Sequence, residues 1–393
     1  MTSCNLPPEV ADYFAEVREG SYRKCKDQYA FCDYVQREFQ KGDIYVDTEQ
    51  LEKYLDLQKY FDYGLFPWEK CLFALHNCTY YHKSGALRWP DLFVLVGRGA
   101  GKNGYLAFED FCLLTPVNGV QNYDIDICAN SEDQARTTFD DIYGVLEANR
   151  GKMERHFKWT KEKITNVKTN STLRFRTSNA KTKDGGRPGK VDFDERHAYE
   201  NYESIEVFIT GLGKKRFPRT TIITTNGKVR GGPLDNDIAQ AMQVLYGDVD
   251  DNGFLPFICR LDSEDEVDEE DNWYKANPSL QYLPELLREI RKEYRQYKLD
   301  PVSNSSFMIK RMNLPKGSAD VEVTSWDNIL ATNRELPDLA GYPCVAGIDY
   351  AKTTDFVAAG LLFLVDGVYY WKTHTWVCRH SADLGRIKAP LYE

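Results

Sequence analysis

Residues 92–104 read Leu92-Phe93-Val94-Leu95-Val96-Gly97-Arg98-Gly99-Ala100-Gly101-Lys102-Asn103-Gly104, an apolar run passing into a glycine-rich turn. The run reads as a buried strand, and the residues from Lys102 onward read as a helix. Such a turn aims backbone N–H groups at phosphate oxygens from the positive end of the helix, and Lys102 adds a point charge. A second strand, Lys190-Val191-Asp192-Phe193-Asp194-Glu195, ends in adjacent carboxylates. Asp194 would hold Mg2+, and Glu195 would polarise an attacking water. Either motif alone is weak. In this order they imply hydrolysis of a nucleoside triphosphate, with Lys102 between its β- and γ-phosphates.

The glycine turn departs from the usual G-x-x-x-x-G-K-[ST] pattern. Val96 stands where the first glycine is expected, Gly97 follows one place later, and Asn103 replaces the hydroxyl residue that reaches the metal. An amide carbonyl is also a hard oxygen ligand, so Asn103 is a second candidate for the metal. Gly97, Arg98, Gly99, Ala100, Gly101, Lys102 and Asn103 form the expected nucleotide loop. Arg98 is placed to meet the γ-phosphate within its own chain.

These residues need a sheet to hold them. Strands near 92–96, 124–129, 172–176, 190–193 and 220–224 alternate with helices, which implies an α/β fold with a mostly parallel sheet. The extra strand between the P-loop strand and the carboxylate strand fits ATPases that use a catalytic glutamate. Ahead of this core, apolar residues at three- and four-residue spacing (Val10, Tyr13, Phe14, Val17, then Phe31, Tyr34, Val35, Phe39) predict helices. Ser131 with Gln134 predicts a capping box. Asp262–Asp271 holds eight acidic residues in ten and reads as a solvated turn. Residues 344–348, 357–364 and 368–376 read as strands, the last two joined at Asp366-Gly367.

With 393 residues, 42% hydrophobic and 28% charged, the chain has room for two or three domains. It has no apolar run long enough to span a membrane and no signal-peptide pattern at its start. The ten cysteines are scattered without a C-x-x-C pair, which suits reduced thiols. The net charge of −10 is uneven. Residues 150–190 carry thirteen Lys or Arg against three Asp or Glu, leaving −20 elsewhere. Arg150, Lys152, Arg155, Lys158, Lys161, Lys163, Lys168, Arg174 and Arg176 offer a phosphate-facing surface, or else a solvated face balanced by acidic neighbours.

The order of these motifs resembles the large terminase subunit of tailed bacteriophages, the DNA-packaging motor. Phe66-Pro67-Trp68-Glu69 is similar to the family's adenine-contacting motif, with Glu69 where glutamine is usual, and so nominates Trp68 and Glu69. Thr220–Asn226 resembles the coupling motif, with Thr224 and Thr225 sensing the γ-phosphate. Alternatively, both threonines are ordinary strand residues. Val345–Asp349 followed by Thr353-Thr354-Asp355 looks like the first strand of an RNase H-like nuclease domain. Asp349 and Asp355 would then be ligands for Mg2+ or Mn2+. Arg187, within Gly185-Gly186-Arg187-Pro188-Gly189, would be an arginine finger across a ring interface, or a surface arginine without a task.

The resemblance implies a homo-oligomeric ring on a procapsid that translocates double-stranded DNA. Its partners would be the portal protein and the small terminase subunit, in the host cytoplasm and without a membrane. The expected domains are a helical segment (1–60), a P-loop ATPase domain (61–250), a helical and acidic subdomain with linker (251–340), and a partial nuclease domain (341–393). The sequence ends 44 residues after Asp349. That is too few to complete such a nuclease, so no cutting is expected. A helicase-like or remodelling ATPase would predict further motifs after Asn226, and none is evident. A non-catalytic P-loop scaffold is suggested by Val96 and Asn103 and opposed by Lys102 with Asp194-Glu195.

Overall fold

A computed structural model describes residues 6–177, 186–199, 202–315, 326–332, 335–350 and 357–377. The chain divides into two compact units, residues 1–321 and 322–393.

The first unit opens with α1 (Pro8–Glu19) and α2 (Lys26–Gln40), which bury Val10, Tyr13, Phe14 and Val17, then Phe31, Tyr34 and Val35. These are the stripes that the sequence spacing predicts. β1 (Ile44–Val46) leads to α3 (Thr48–Leu55), whose Asp47 cap accepts the Gln50 N–H at 2.9 Å. α4 (Pro67–Cys78) then runs into β2 (Thr79–Tyr81), antiparallel to β1. The nucleotide core follows as β3 (Asp91–Leu95), α5 (Lys102–Leu114), β4 (Ile125–Ala129), α6 (Glu132–Ala148) and α7 (Arg150–Met153). It continues with β5 (Phe157–Trp159), β6 (Ile164–Asn166), β7 (Thr172–Thr177) and β8 (Lys190–Asp194). α8 (Glu203–Ile209), β9 (Arg219–Thr224), α9 (Pro233–Tyr246) and β10 (Phe254–Ile258) complete it.

The eight strands lie in the order β10-β3-β9-β8-β4-β7-β6-β5. From β10 to β7 every pairing is parallel, whereas β6 pairs antiparallel with both β7 and β5. The P-loop strand β3 and the carboxylate strand β8 are therefore separated by β9. That inserted strand comes later in the sequence than both. All three strands end at the carboxyl edge of the sheet, where ligands of open α/β sheets bind.

Packing and strand pairing cross two of the expected boundaries. The helical segment 1–60 shares one core with the sheet, since Val10, Phe31 and Tyr54 cluster with Leu92, Phe108 and Phe257. The boundary expected at residue 250 falls before β10, which pairs with β3 from Phe254↔Asp91 to Ile258↔Leu95. A second core forms around Trp273, Ile290, Phe307 and Met312, on α10 (Trp273–Ala276), α11 (Pro284–Leu299) and the wide turn Phe307–Arg311. The acidic run is not merely solvated. Asp262 and Glu266 grip Lys275 (2.9 and 2.5 Å), Asp268 pairs with Lys298 (3.0 Å), and Glu270 pairs with Arg291 (2.6 Å).

The second unit holds α12 (Trp326–Ala331) and the antiparallel sheet β11 (Cys344–Asp349), β12 (Val357–Val365) and β13 (Val368–Trp376). Asp366 and Gly367 take φ of 50° and 80° in the two-residue turn between the paired Val365 and Val368. Among the described residues no helix is long and apolar enough to cross a membrane.

Beneath the P-loop helix lies a buried ionic knot. The Lys190 ammonium, fully buried at the start of β8, sits 2.8 Å from Glu109, 2.6 Å from Asp110 and 2.7 Å from Asp192. Three carboxylates this close resemble a metal trap, but the cation they enclose is Lys190. Glu109 also accepts from Asn77 (2.6 Å), Tyr105 (3.2 Å) and Thr221 (2.9 Å), joining α4, α5 and β9. Burial raises the pKa of Glu109, but Lys190 and His76 outweigh it and bring the value down to about 2. Burial, with the Glu109 charge, pushes Asp110 up to about 6, and burial with the Asp110 charge raises Asp192 well above its usual value, both against the pull of Lys190.

Removing the cation would leave these carboxylates buried without their partner. Lys190→Met is expected to destabilise the chain by about 3–5 kcal/mol, read as a lower midpoint in urea unfolding. A change under about 1 kcal/mol would show that the knot is dispensable.

Candidate ATPase site

Val96 still belongs to the sheet, because its N–H donates to Thr224 O (3.3 Å) beyond the last paired residue of β3. A glycine is not needed there, and the turn proper starts at Gly97. Gly99 and Gly101 take φ of +88° and +107°, the left-handed region that curls the turn into the N-terminus of α5. Gly97 is required for a different reason. A Cβ there would strike the Asn277 side chain and the Arg311 carbonyl.

The segment 262–315 is bonded directly to this loop. Gly97 N–H donates to Ala276 O and Arg98 N–H to Lys310 O, both at 2.8 Å. Arg311 donates to Arg98 O (2.6 Å) while paired twice with Glu293 (2.6 and 2.9 Å). Ser279 donates to Ala100 O (2.6 Å) and accepts from the Trp68 indole N–H (2.8 Å). Trp68 thus reaches the loop through Ser279. It is 1% exposed and stacks on Phe257, so the expectation that it meets adenine is corrected. Glu69 is buried too. It caps its own helix by accepting the Phe66 N–H (2.9 Å) and lies against Gly101. Burial raises its pKa well above the usual carboxylate range, against the pull of the Phe66 N–H.

Lys102 folds back on its loop, its ammonium 3.3 Å from both Val96 O and Gly97 O. Burial lowers its pKa to about 8, against the pull of Asp194 and Glu195. Asp194 is 3% exposed and accepts from the Asn103 side-chain amide (3.0 Å). Burial and the neighbouring Glu195 raise it to about 6. Asp194 offers a hard carboxylate oxygen of the kind Mg2+ takes, while the Asn103 side chain turns its amide nitrogen, not its carbonyl, toward that carboxylate.

Glu195 takes a left-handed φ of 52°, turning the chain sharply out of β8 into the short turn Arg196–Ala198. Its carboxylate accepts from the Gln134 side chain (3.0 Å) and lies 3.5 Å from His197 Nε2. Ser131 does cap α6, accepting the Gln134 N–H (3.4 Å), but the Gln134 side chain reaches Glu195 instead of completing a capping box. Thr224 and Thr225 are buried beside this turn, each hydroxyl donating to the next residue's carbonyl (2.6 and 3.0 Å).

Arg98 is exposed and lines a cavity of about 240 Å3 with Glu293, Lys310 and Arg311. Arg187 is also exposed but lies seven residues before Asp194, at the amino end of β8. It stands three residues before β8, and the strand itself puts roughly 13 Å between Lys190 and Asp194. Asp349 ends β11 in the second unit and is exposed. Asp355 lies outside the described residues. Sequence reasoning missed Gln134 and His197 as neighbours of Glu195. Their only signal was a helix start and the spacing i, i+2 from the glutamate.

The family model "Terminase large subunit, ATPase domain" matches residues 67–242, and "Terminase large subunit, endonuclease domain" matches residues 248–388. The chain belongs to the large terminase subunit family. Protein YmfN of Escherichia coli (strain K12) is 26% identical over 198 residues, 49% of this chain and 42% of that protein. The chain thus spans less than half the length of that curated relative. The HK97 bacteriophage large terminase shares the fold at 18% identity, with a TM-score of 0.58 over 84% of this chain and 68% of that one. One expectation is overturned. The terminase endonuclease match starts at 248 and runs to 388, so the nuclease cannot be set aside on the length that follows Asp349.

The two shifted groups set a pH window for this terminase. Below about 6 Asp194 is protonated, and a cation must displace that proton; above about 8 Lys102 loses its charge before a nucleotide arrives. Affinity for Mg2+ with a fluorescent ATP analogue should therefore be greatest between these values. It should fall up to about tenfold per pH unit on either side. A flat profile from pH 5 to 9 would remove both residues from the binding site.

Proposed function

We propose that this terminase chain binds Mg2+ and ATP at the loop 97–103 and uses hydrolysis to drive double-stranded DNA into a procapsid. The observation that carries the proposal is the convergence of Lys102, Asp194 with Asn103, and Glu195 at one edge of the sheet, with the Thr224 strand between them. Bound at Asp194, Mg2+ would neutralise charge on the β- and γ-phosphates. Lys102 would leave the loop carbonyls for the phosphate oxygens. Glu195, held by Gln134, would orient the attacking water and accept its proton. Arg98 would meet the γ-phosphate from the same loop.

DNA as the substrate is supported by the edge ribbon β5–β6 and its flanks. Lys152, Arg155, Lys158, Lys161 and Lys168 are exposed there, while Arg150 is tied to Glu147 and Arg176 to Asp126. Arg187, far from its own phosphate edge, suits a finger offered to the next subunit of a homo-oligomeric ring. The portal protein and the small terminase subunit are the partners this reading implies, in the host cytoplasm. The test is ATP turnover with and without double-stranded DNA. DNA should raise the rate, and Glu195→Gln should bind ATP normally but turn over at least about tenfold more slowly, roughly 1.4 kcal/mol in barrier. Equal turnover by the two proteins would remove Glu195 from its role.

We also infer that Asp349 is a ligand of the nuclease metal site. Its place at the end of β11, the first strand of an antiparallel sheet, supports this. Nicking of supercoiled plasmid in Mn2+ is expected, with at least about a tenfold loss on Asp349→Asn. Undiminished nicking by the variant would place the metal elsewhere.

A further inference from the structure

The segment that braces the glycine turn brings two cations to it. Phe307 and Met308 are buried in the second core, and Lys310 and Arg311 follow in the same wide turn. A turn of this width is rare and is found mostly at functional sites. The backbone fixes where Lys310 stands, because its carbonyl accepts the Arg98 N–H (2.8 Å). Arg311 is committed to structure, donating to Arg98 O and pairing twice with Glu293 (2.9 and 2.6 Å). The Lys310 ammonium has no such task. It is half-buried, with no carboxylate at ion-pair distance among the described residues.

Positive charge gathers here without an anion to balance it. Arg98 and Lys310 share a cavity whose one acidic lining residue, Glu293, is already held by Arg311. Burial lowers the Lys310 pKa, helped by the like charges of Arg98 and Lys228 and opposed by Glu195. Lys310, Lys102 and Arg98 also act together on His197, beside Glu195. Three cations from two separate segments thus stand around Glu195 and His197. Asp194 faces Lys102 as well, but it is the carboxylate that the metal would take. Like charges brought together in partly buried surroundings repel, and an anion placed among them relieves that repulsion. The γ-phosphate is the anion that the hydrolytic reading puts at this edge.

We propose that Lys310 is a nucleotide-binding residue that contacts the γ-phosphate together with Arg98, so that the segment 307–311 distinguishes ATP from ADP. The inference rests on the reading of loop 97–103 as the ATP site. Lysine suits the task because its ammonium swings on a four-carbon stem, whereas the Arg311 fork is fixed by Glu293. The Lys310 carbonyl holds the Arg98 N–H independently of the side chain. Removing the ammonium therefore tests the phosphate contact without unfastening the segment from the loop.

The experiment measures affinity for fluorescent ATP and ADP analogues with Mg2+, kcat for ATP and the thermal midpoint, all in the full chain. Lys310→Gln should weaken the ATP analogue at least about tenfold, as expected for one lost charge-assisted hydrogen bond, and should lower kcat. The ADP analogue should stay within about twofold of wild type, and the thermal midpoint should not move. Lys310→Arg should recover part of the ATP affinity, because it restores a charged donor. Equal loss of both analogues would overturn the inference in favour of a diffuse field around the loop, and a lower thermal midpoint would overturn it in favour of packing. Wild-type ATP affinity in Lys310→Gln, with Glu195→Gln still slow in turnover, would defeat it while leaving the hydrolytic reading intact. A wild-type chain that binds neither analogue would defeat both.

Discussion

The ammonium of Lys190 is the constraint on which the ATPase site depends. It stands at the first residue of β8, and its three carboxylates come from α5 and from β8 itself. Because α5 starts at Lys102 and β8 ends at Asp194, this one buried charge fixes the helix that follows the glycine turn relative to the strand that ends in the two carboxylates. Glu109 extends the clamp to β9 through Thr221 and to α4 through Asn77. An apolar core of the same shape could stabilise the fold equally well. The knot adds direction, since hydrogen-bonded charges tolerate little sliding between helix and strand. It lies about two helical turns along α5 from Lys102, roughly 10 Å from the phosphate edge.

At that edge the side chains are held in a state short of catalysis. Lys102 rests on loop carbonyls, Asn103 holds Asp194, and Gln134 holds Glu195. Burial disfavours the charged forms of Lys102 and Asp194 alike, so bringing a phosphate and a cation to them relieves an unfavourable state. The segment 262–315 completes the arrangement by bonding to Gly97, Arg98 and Ala100. Residues that look remote from the P-loop in the sequence, such as Trp68 and Asn277, act on it through this segment.

The family's two domain models meet near residue 248, yet β10 lies beyond that point and pairs with β3. Chain order and spatial order therefore disagree at the ATPase boundary. The sheet is complete only when residues 254–258 are included, and the second core at 261–312 leans on the loop that follows β3. Removing the chain after residue 250 would expose an edge of β3 and unpair Leu92–Leu95 on one side.

Much of this was legible in the sequence because it depends on local chemistry. The glycine turn with Lys102, the adjacent Asp194 and Glu195, the amphipathic stripes of the first helices and the Asp366-Gly367 hairpin all follow from short-range spacing. The α/β class followed from alternating patterns. What the sequence could not determine was which strands become neighbours. β9 comes later in the chain than both β3 and β8 but lies between them, and β10 pairs outside them all, because pairing is settled by the packing of whole faces. The same non-local packing turned Trp68 from a candidate adenine platform into a core residue, and it placed Arg187 at the opposite edge of the sheet from its own phosphate site. It also brought Gln134 and His197 to Glu195. A spacing of two residues becomes a contact only when the backbone takes the left-handed turn that the strand end imposes on Glu195, and only the folded sheet imposes it.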